Sequence, residues 1–291
     1  SGTSGYEIKL QGASPVPQFS TAVQSDRHTQ YSGEYIPSNE YIPLNYDEKK
    51  GVWISYIDLA PMLTGKTEKD FKNAFLQACE NIKDLGCNTV YVHVRSFGDA
   101  YYKSDYYPWS KGVTGHIGEE PDFDPLSIMI DCAHQKGLSF HAWINPLRCE
   151  TEDNLSKLES GILSEWYNDS EQYSEYLVKV KDDEHYWLNP AVQDVRNLIC
   201  SGAEELCRNY KIDGIHMDDY FYPTTEEYFD SQTYVEANGS IDLSDWRLDN
   251  CSKMVEEIYD TVKSVNRDIM FGISPQGNIE NNYSYMYADV K

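Results

Sequence analysis

Residues 211–223 read Lys-Ile-Asp-Gly-Ile-His-Met-Asp-Asp-Tyr-Phe-Tyr-Pro and set two adjacent carboxylates, Asp218 and Asp219, at the end of a run of strand formers. Side chains alternate faces along a strand, so Ile215 and Met217 point one way and His216 and Asp218 the other. A strand with one apolar face and a His/Asp face at its C-terminal end can present a carboxylate for acid–base or nucleophilic chemistry. The structural alternative is that Asp218 caps the following loop or pairs with an arginine, as acids at strand ends often do.

The frame for these residues is read from periodicity. Gly51–Leu59 is rich in β-formers and predicts a first strand ending near Asp58. Phe71, Phe75, Ala78, Ile82 and Leu85 recur at helical spacing, with a capping pair at Thr67/Asp70 and a stop at Gly86. Thr89–Arg95 predicts the second strand and Leu138–Asn145 the third. Asp124-Pro125 and Asn189-Pro190 each read as a helix start, the second helix running to about Tyr210. A further helix from Ser244 and a strand over Ile269–Ser274 complete the series. Strict alternation of strand and helix predicts an α/β chain with a parallel sheet and right-handed crossovers.

Loop lengths choose between the parallel architectures. The connections after strands two, three and four are long (Ser96–Asp124, Pro146–Asn189 and Asp219–Ser244), whereas helix-to-strand connections are short. Long loops on the C-terminal side of the strands predict a (β/α)8 TIM barrel. The doubly wound alternative requires a glycine-rich first turn, and Ala-Pro-Met-Leu-Thr-Gly after Leu59 has none. Only about five strand–helix units are present. The expectation is therefore a catalytic barrel over residues 51–291 that continues in a longer protein, preceded by an irregular strap or linker over residues 1–50.

Inward polar residues at the strand ends then form a constellation: Asp58, Arg95, His141, Asn145, His216, Asp218 and Ser274. The loops add Asp99, Tyr101, Tyr102, Tyr106, Tyr107 and Trp109 after strand two, Trp166, Tyr186 and Trp187 after strand three, and Tyr220, Phe221 and Tyr222 after strand four. Aromatic platforms beside carboxylates suit a polyhydroxylated substrate, whose ring faces are apolar and whose edges need hydrogen bonds, although each aromatic taken singly reads as packing before it reads as a ligand. Glycoside cleavage needs one carboxylate at the sugar and a second group to protonate the leaving oxygen. Asp218 is the candidate nucleophile or base. Asp219, Glu119, Glu120 and Glu280 are candidates for the acid.

Two other classes compete. A metal-dependent hydrolase or polysaccharide deacetylase could use His141, His216, Asp218 and Asp58, but no HxH or HExxH pair is present, and neither metal nor cofactor is expected. A non-catalytic carbohydrate-binding barrel would use Asp218 only to hydrogen-bond sugar hydroxyls.

Composition narrows the partners. With 24 Lys+Arg against 48 Asp+Glu, the net charge of −24 would repel phosphate backbones and anionic lipids, so neither nucleic acid nor membrane is expected as a partner. Tyrosine is abundant (24, with 6 Trp and 9 Phe), which fits a sugar-binding surface. Seven cysteines cannot all pair, and none stands in a CxxC spacing. No stretch approaches the apolar length of a membrane span. The chain does not begin with Met and shows no signal-peptide pattern, which reads as a processed or partial chain.

Four segments in order carry a family resemblance: Arg95-Ser-Phe-Gly-Asp-Ala-Tyr-Tyr-Lys-Ser104, His141-Ala-Trp-Ile-Asn-Pro146, Asp213-Gly-Ile-His-Met-Asp-Asp-Tyr-Phe-Tyr-Pro223 and Phe271-Gly-Ile-Ser-Pro275. Together they resemble the signatures of the bacterial glycosyl-hydrolase-like barrel family, over about Gly51 to Lys291. The resemblance implies an enzyme that cleaves bacterial glycan strands, peptidoglycan stripped of its peptides included, and an extracellular or cell-surface location. It also implies kinship with α-amylase-type barrels, in which an Asp preceded two residues earlier by Arg is the strand-four nucleophile. Asp218 matches that Asp, and His216 stands where the Arg would be. Those barrels place a Glu at the end of strand five; Ser274-Pro275 occupies that region here, so the acid is not carried over.

Overall fold

Five short runs of β-formers pair in parallel, in the order β1 (Gly51–Ile54), β2 (Thr89–Arg95), β3 (Ser139–Ile144), β7 (Gly214–Met217) and β8 (Met270–Ile273). The computed structural model describes residues 41–237 and 240–290; positions 1–40 of the expected strap lie outside the described residues. Helices connect the strands and bury their apolar sides against one face of the sheet. Val90, Val92, Val94, Phe140, Ala142, Ile144, Ile215 and Met217 are fully buried on that face. Each of these side chains except Ala142 contributes about 1.5–3 kcal/mol by leaving water.

Local chemistry sets the helix starts. Thr67 Oγ1 accepts from the Asp70 N–H, Asp124 Oδ1 from the Ser127 N–H and Asp242 Oδ1 from the Ser244 N–H. These open the helices Glu68–Asp84, Pro125–Gln135 and Leu243–Val265. The Asn189-Pro190 start lies three residues early: the helix is Gln193–Asn209, and Asn189 Oδ1 instead accepts from the Ala191 N–H in the turn before it.

The first strand is shorter than expected. It ends at Ile54, because Ser55 and Asp58 form a reciprocal capping box that turns the chain into the helix Tyr56–Leu63. The long loops also carry structure of their own. Within 146–189, β4 (Arg148–Thr151), β5 (Leu177–Lys179) and β6 (His185–Leu188) form an antiparallel sheet in the order β4-β6-β5. That small sheet is tied to the loop after β7. Glu175 accepts from the Gln232 N–H at 2.7 Å and the Thr233 N–H at 2.6 Å, and the Lys181 N–H donates to Tyr228 Oη at 3.0 Å. In the same loop Asp230 forms a fully buried ion pair at 2.6 Å with Arg247 of the helix Leu243–Val265, with Tyr222 and Tyr287 against the guanidinium.

At the opposite end of the strands, residues 41–46 lie across the sheet and are held by Asp213. Its carboxylate, fully buried, accepts from Tyr41 Oη at 2.6 Å, from the backbone N–H groups of Leu44 and Phe140, and pairs with His134 Nε2 at 2.7 Å. Burial alone would lower the His134 pKa, but the charge and hydrogen bond of Asp213 outweigh it and raise the value. A raised folded-state pKa means that this pair's stabilisation is complete below the ordinary imidazole range and is lost as pH rises through the folded value. Asp213→Asn is expected to destabilise the protein by at least about 2 kcal/mol, since bonds to a charged acceptor are each worth about 1.5–3 kcal/mol. Urea unfolding followed against pH is expected to show stability declining above the imidazole range in the wild type. That decline is expected to flatten in His134→Gln.

Candidate active site

Parallel register brings the polar side of the sheet together. Trp53, Tyr91, His141 and Gly214 stand in one row, and His93, Trp143, His216 and Gly272 in the next. Their rings touch. His93 stacks on Trp143 with centroids 3.6 Å apart and planes 2° apart, while Trp53 meets the rings of Tyr91, Trp143 and His216 at 4.5, 4.9 and 4.5 Å. Glycine makes room for two of these rings. A Cβ on Gly214 would lie 2.5 Å from the His141 ring, and one on Gly272 would lie 2.7 Å from His216.

Asp218 follows β7 at the C-terminal edge of this face. Trp143 Nε1 donates to its Oδ1 at 2.8 Å and also reaches Asn145 Oδ1 at 3.2 Å. Burial pushes the Asp218 carboxyl up to about 6, with the Asp219 charge adding to the rise and the Trp143 bond and Arg148 opposing it. His93 and His216 are both pushed down to about 3 by burial, so they stand on this face as neutral rings. His216 Nε2 is 2.7 Å from Ser274 Oγ, which joins the ends of β7 and β8.

Asp219 adopts a left-handed conformation, φ 46°, and this breaks the alternation that would send its side chain to the opposite face from Asp218. Its carboxylate forms an ion pair with Arg148 of β4. Arg148 in turn lies over the rings of Phe97 and Trp187, with its guanidinium carbon 5.9 and 5.6 Å from their centroids. Phe97 stacks on His185 and meets Tyr56 edge-on. Tyr56, Phe97, His185 and Arg148 form a half-buried wall beside the two aspartates.

The remaining expected site residues are distributed differently. Asp58 is exposed and caps the helix after β1, its carboxylate accepting from the Ser55 N–H at 2.9 Å, so it is not a strand-end group. Arg95 is turned away by a bulge: the register shifts between His93 and Arg95, and Arg95 pairs with Ile144 of the apolar face. Its guanidinium is fully buried over the Tyr107 ring at 4.4 Å and against Gly202. Asp99 is buried and accepts from the Ser96 and Phe97 N–H groups, which makes it the organiser of a tight turn. Tyr101, Tyr220 and Tyr222 are almost wholly buried: Tyr101 packs on Gly112, and Tyr222 on Phe229 and Tyr287.

His141 lies on the polar face but two residues before Trp143 on β3, toward the Asp213 end, where Asn45 Oδ1 is 3.3 Å from its Nε2. Glu120 pairs with Lys103 on the surface, and Glu280 accepts from Ser284 within its own helix. Among the described residues no three His, Cys, Asp or Glu side chains are grouped as metal ligands, so His141, His216, Asp218 and Asp58 do not form a centre. No described helix is long and apolar enough to cross a membrane.

The profile of the glycosyl hydrolase-like 10 family matches residues 48–291. The chain belongs to the glycosyl hydrolase-like 10 family. It is 32% identical over 267 residues to glycosyl hydrolase YngK of Bacillus subtilis, covering 84% of this chain and 51% of that protein. It is 30% identical over 243 residues to glycosyl hydrolase DigH of Escherichia coli K12, covering 78% of this chain and 55% of that one. The chain thus spans about half the length of the curated relatives it matches. Among solved structures, the PgaB (BpsB) glycoside hydrolase domain of Bordetella bronchiseptica shares the fold, with a TM-score of 0.58 at 12% identity over 83% of this chain and 70% of that one.

Four residues of this candidate site are not picked out by type and spacing: Trp53, His93, Trp143 and Arg148. The first three were within reach, since each alternates onto the polar face of a legible strand. Arg148 was not, because it acts from the small sheet. The left-handed Asp219 yields the test of this local geometry. Asn tolerates positive φ and Val does not, so Asp219→Val is expected to be about 1–2 kcal/mol less stable than Asp219→Asn in denaturant unfolding.

Proposed function

We propose that the chain is the Asp218-bearing part of a glycoside hydrolase that cleaves a bacterial glycan, with Asp218 as nucleophile or base. The observation that carries this reading is the setting of the Asp218 carboxyl. It stands at the C-terminal end of a parallel strand, one oxygen held by the Trp143 N–H, beside half-buried aromatic rings. Membership of a glycosyl hydrolase-like family supports the reaction class.

In this reading the aromatic rings take the apolar faces of the sugars and the polar groups between them take the hydroxyls. Trp143 holds one carboxylate oxygen, and the other is the one to meet the anomeric carbon or a water. With its pKa near 6, Asp218 is mostly ionised at pH 7, the form that a nucleophile or base requires. Its charge would stabilise the oxocarbenium-like transition state as the glycosidic bond breaks. Asp219, held by Arg148, serves to fix that arginine at the mouth of the site.

The five-stranded sheet is read as the first part of a (β/α)8 barrel, with β1 and β8 as its open edges. The proton donor is assigned to the portion that completes it. The greater length of the curated relatives supports that reading. The substrate is read as peptide-free peptidoglycan strands met outside the cell or at its surface, on the strength of the motif resemblance.

The test is release of reducing ends from peptide-free peptidoglycan and a panel of other glycans by the full-length protein. Asp218→Asn is expected to lower turnover by about a thousandfold or more while leaving glycan binding largely intact. The wild-type kcat/KM is expected to be low in acid and to rise to a plateau through a limb at about 6, because the ionised carboxylate is the active form. A falling limb at that pH would make Asp218 the acid instead, and unchanged turnover in Asp218→Asn would remove its catalytic role.

A further inference from the structure

We propose that Trp143 is a positioning residue for Asp218: its indole N–H aims one carboxylate oxygen, the stacked His93 ring holds the indole in place, and Asn145 competes for the same N–H. This rests on the reading of Asp218 as nucleophile or base. The geometry is over-determined for a ring that merely fills space. The Trp143 N–H is shared between Asp218 Oδ1 at 2.8 Å and Asn145 Oδ1 at 3.2 Å. The indole cannot swing away to favour either acceptor, because His93 lies flat on one face at 3.6 Å and the Trp53 ring abuts it at 4.9 Å and 83°. His93 is itself buried, 2% exposed.

The consequence for charge follows from donor chemistry. An N–H pointed at a carboxylate oxygen favours the ionised form, against the burial that disfavours it. The other charged groups facing Asp218 are Asp219, which opposes ionisation, and Arg148, which favours it; His93 and His216 are neutral. Removing the indole N–H therefore moves the titration up. Removing Asn145 leaves the N–H to Asp218 alone and moves it down.

The experiment compares pH profiles of glycan cleavage for the full-length wild type, Trp143→Phe, Asn145→Ala and Asp218→Asn, with carboxyl carbon NMR titration of Asp218 alongside. Trp143→Phe keeps a ring for His93 to stack on but has no donor. Its acid limb is expected to rise by about one to two pH units, the equivalent of one hydrogen bond to a charged acceptor. Its kcat at the wild-type optimum is expected to fall by about tenfold or more, with little change in KM. Asn145→Ala is expected to shift the limb the other way.

An unmoved limb and unmoved carboxyl titration in Trp143→Phe would overturn the proposal while leaving the catalytic role of Asp218 intact. If Trp143→Phe fails to fold, Asn145→Ala decides alone: a downward shift supports the proposal, and no shift or an upward one overturns it. Retained cleavage by Asp218→Asn would overturn the hydrolase reading of that residue, and this inference with it.

Discussion

In-register parallel pairing is the constraint on which the site depends. The side-chain period of a strand is two, so the pairing that sets His93, Trp143, His216 and Gly272 side by side also sends Val92, Ala142, Ile215 and Phe271 to the helices. A slip of one residue in any strand would exchange the two sets, burying imidazoles among valines and exposing the core. The apolar face therefore enforces the polar one. The rings on the polar face tighten the constraint further, since His141 and His216 occupy space that a Cβ on Gly214 or Gly272 would enter.

Charge at the site follows from how this face is dried. Burial leaves His93 and His216 uncharged and lifts Asp218 toward neutrality, so Arg148 is the cation that acts on the two aspartates. Its charge opposes the Asp219 carboxylate, which adds to the rise of the Asp218 pKa. The bulge in β2 keeps a second arginine out. Had the alternation of β2 continued unbroken, Arg95 would stand on the polar face; instead it is packed over Tyr107.

The frame was legible where one signal dominated. Thr89–Arg95 matches its strand, and the helix Glu68–Asp84 begins and ends where the cap at Thr67 and the stop at Gly86 place it. The first strand was overrun because Tyr56 and Ile57 are β-formers, and that propensity hid the Ser55/Asp58 capping box that ends it. Alternation correctly put His216 and Asp218 on one face but failed at Arg95, because a bulge leaves no mark in a run of Val and His. The antiparallel sheet of β4, β5 and β6 was illegible for a different reason. Strands of three or four residues are specified by what they pack against, and periodicity needs a longer window to show.

The ties between the loops after β3 and β7 bear on motion. Arg148 grips Asp219, Glu175 accepts from the N–H groups of residues 232 and 233, and the Lys181 N–H reaches Tyr228, so the small sheet is joined at three places to the segment that follows Asp218. Displacing either segment alone would break contacts at all three places, which opposes their separate movement. The Asp99 turn meets that body through the Phe97 ring on His185 and Arg148 and through Gly98 packed against Cys149. Any widening of the cleft would thus part the two aspartates' anchors, since Asp218 is held to the main sheet by Trp143 and Asp219 to the small sheet by Arg148.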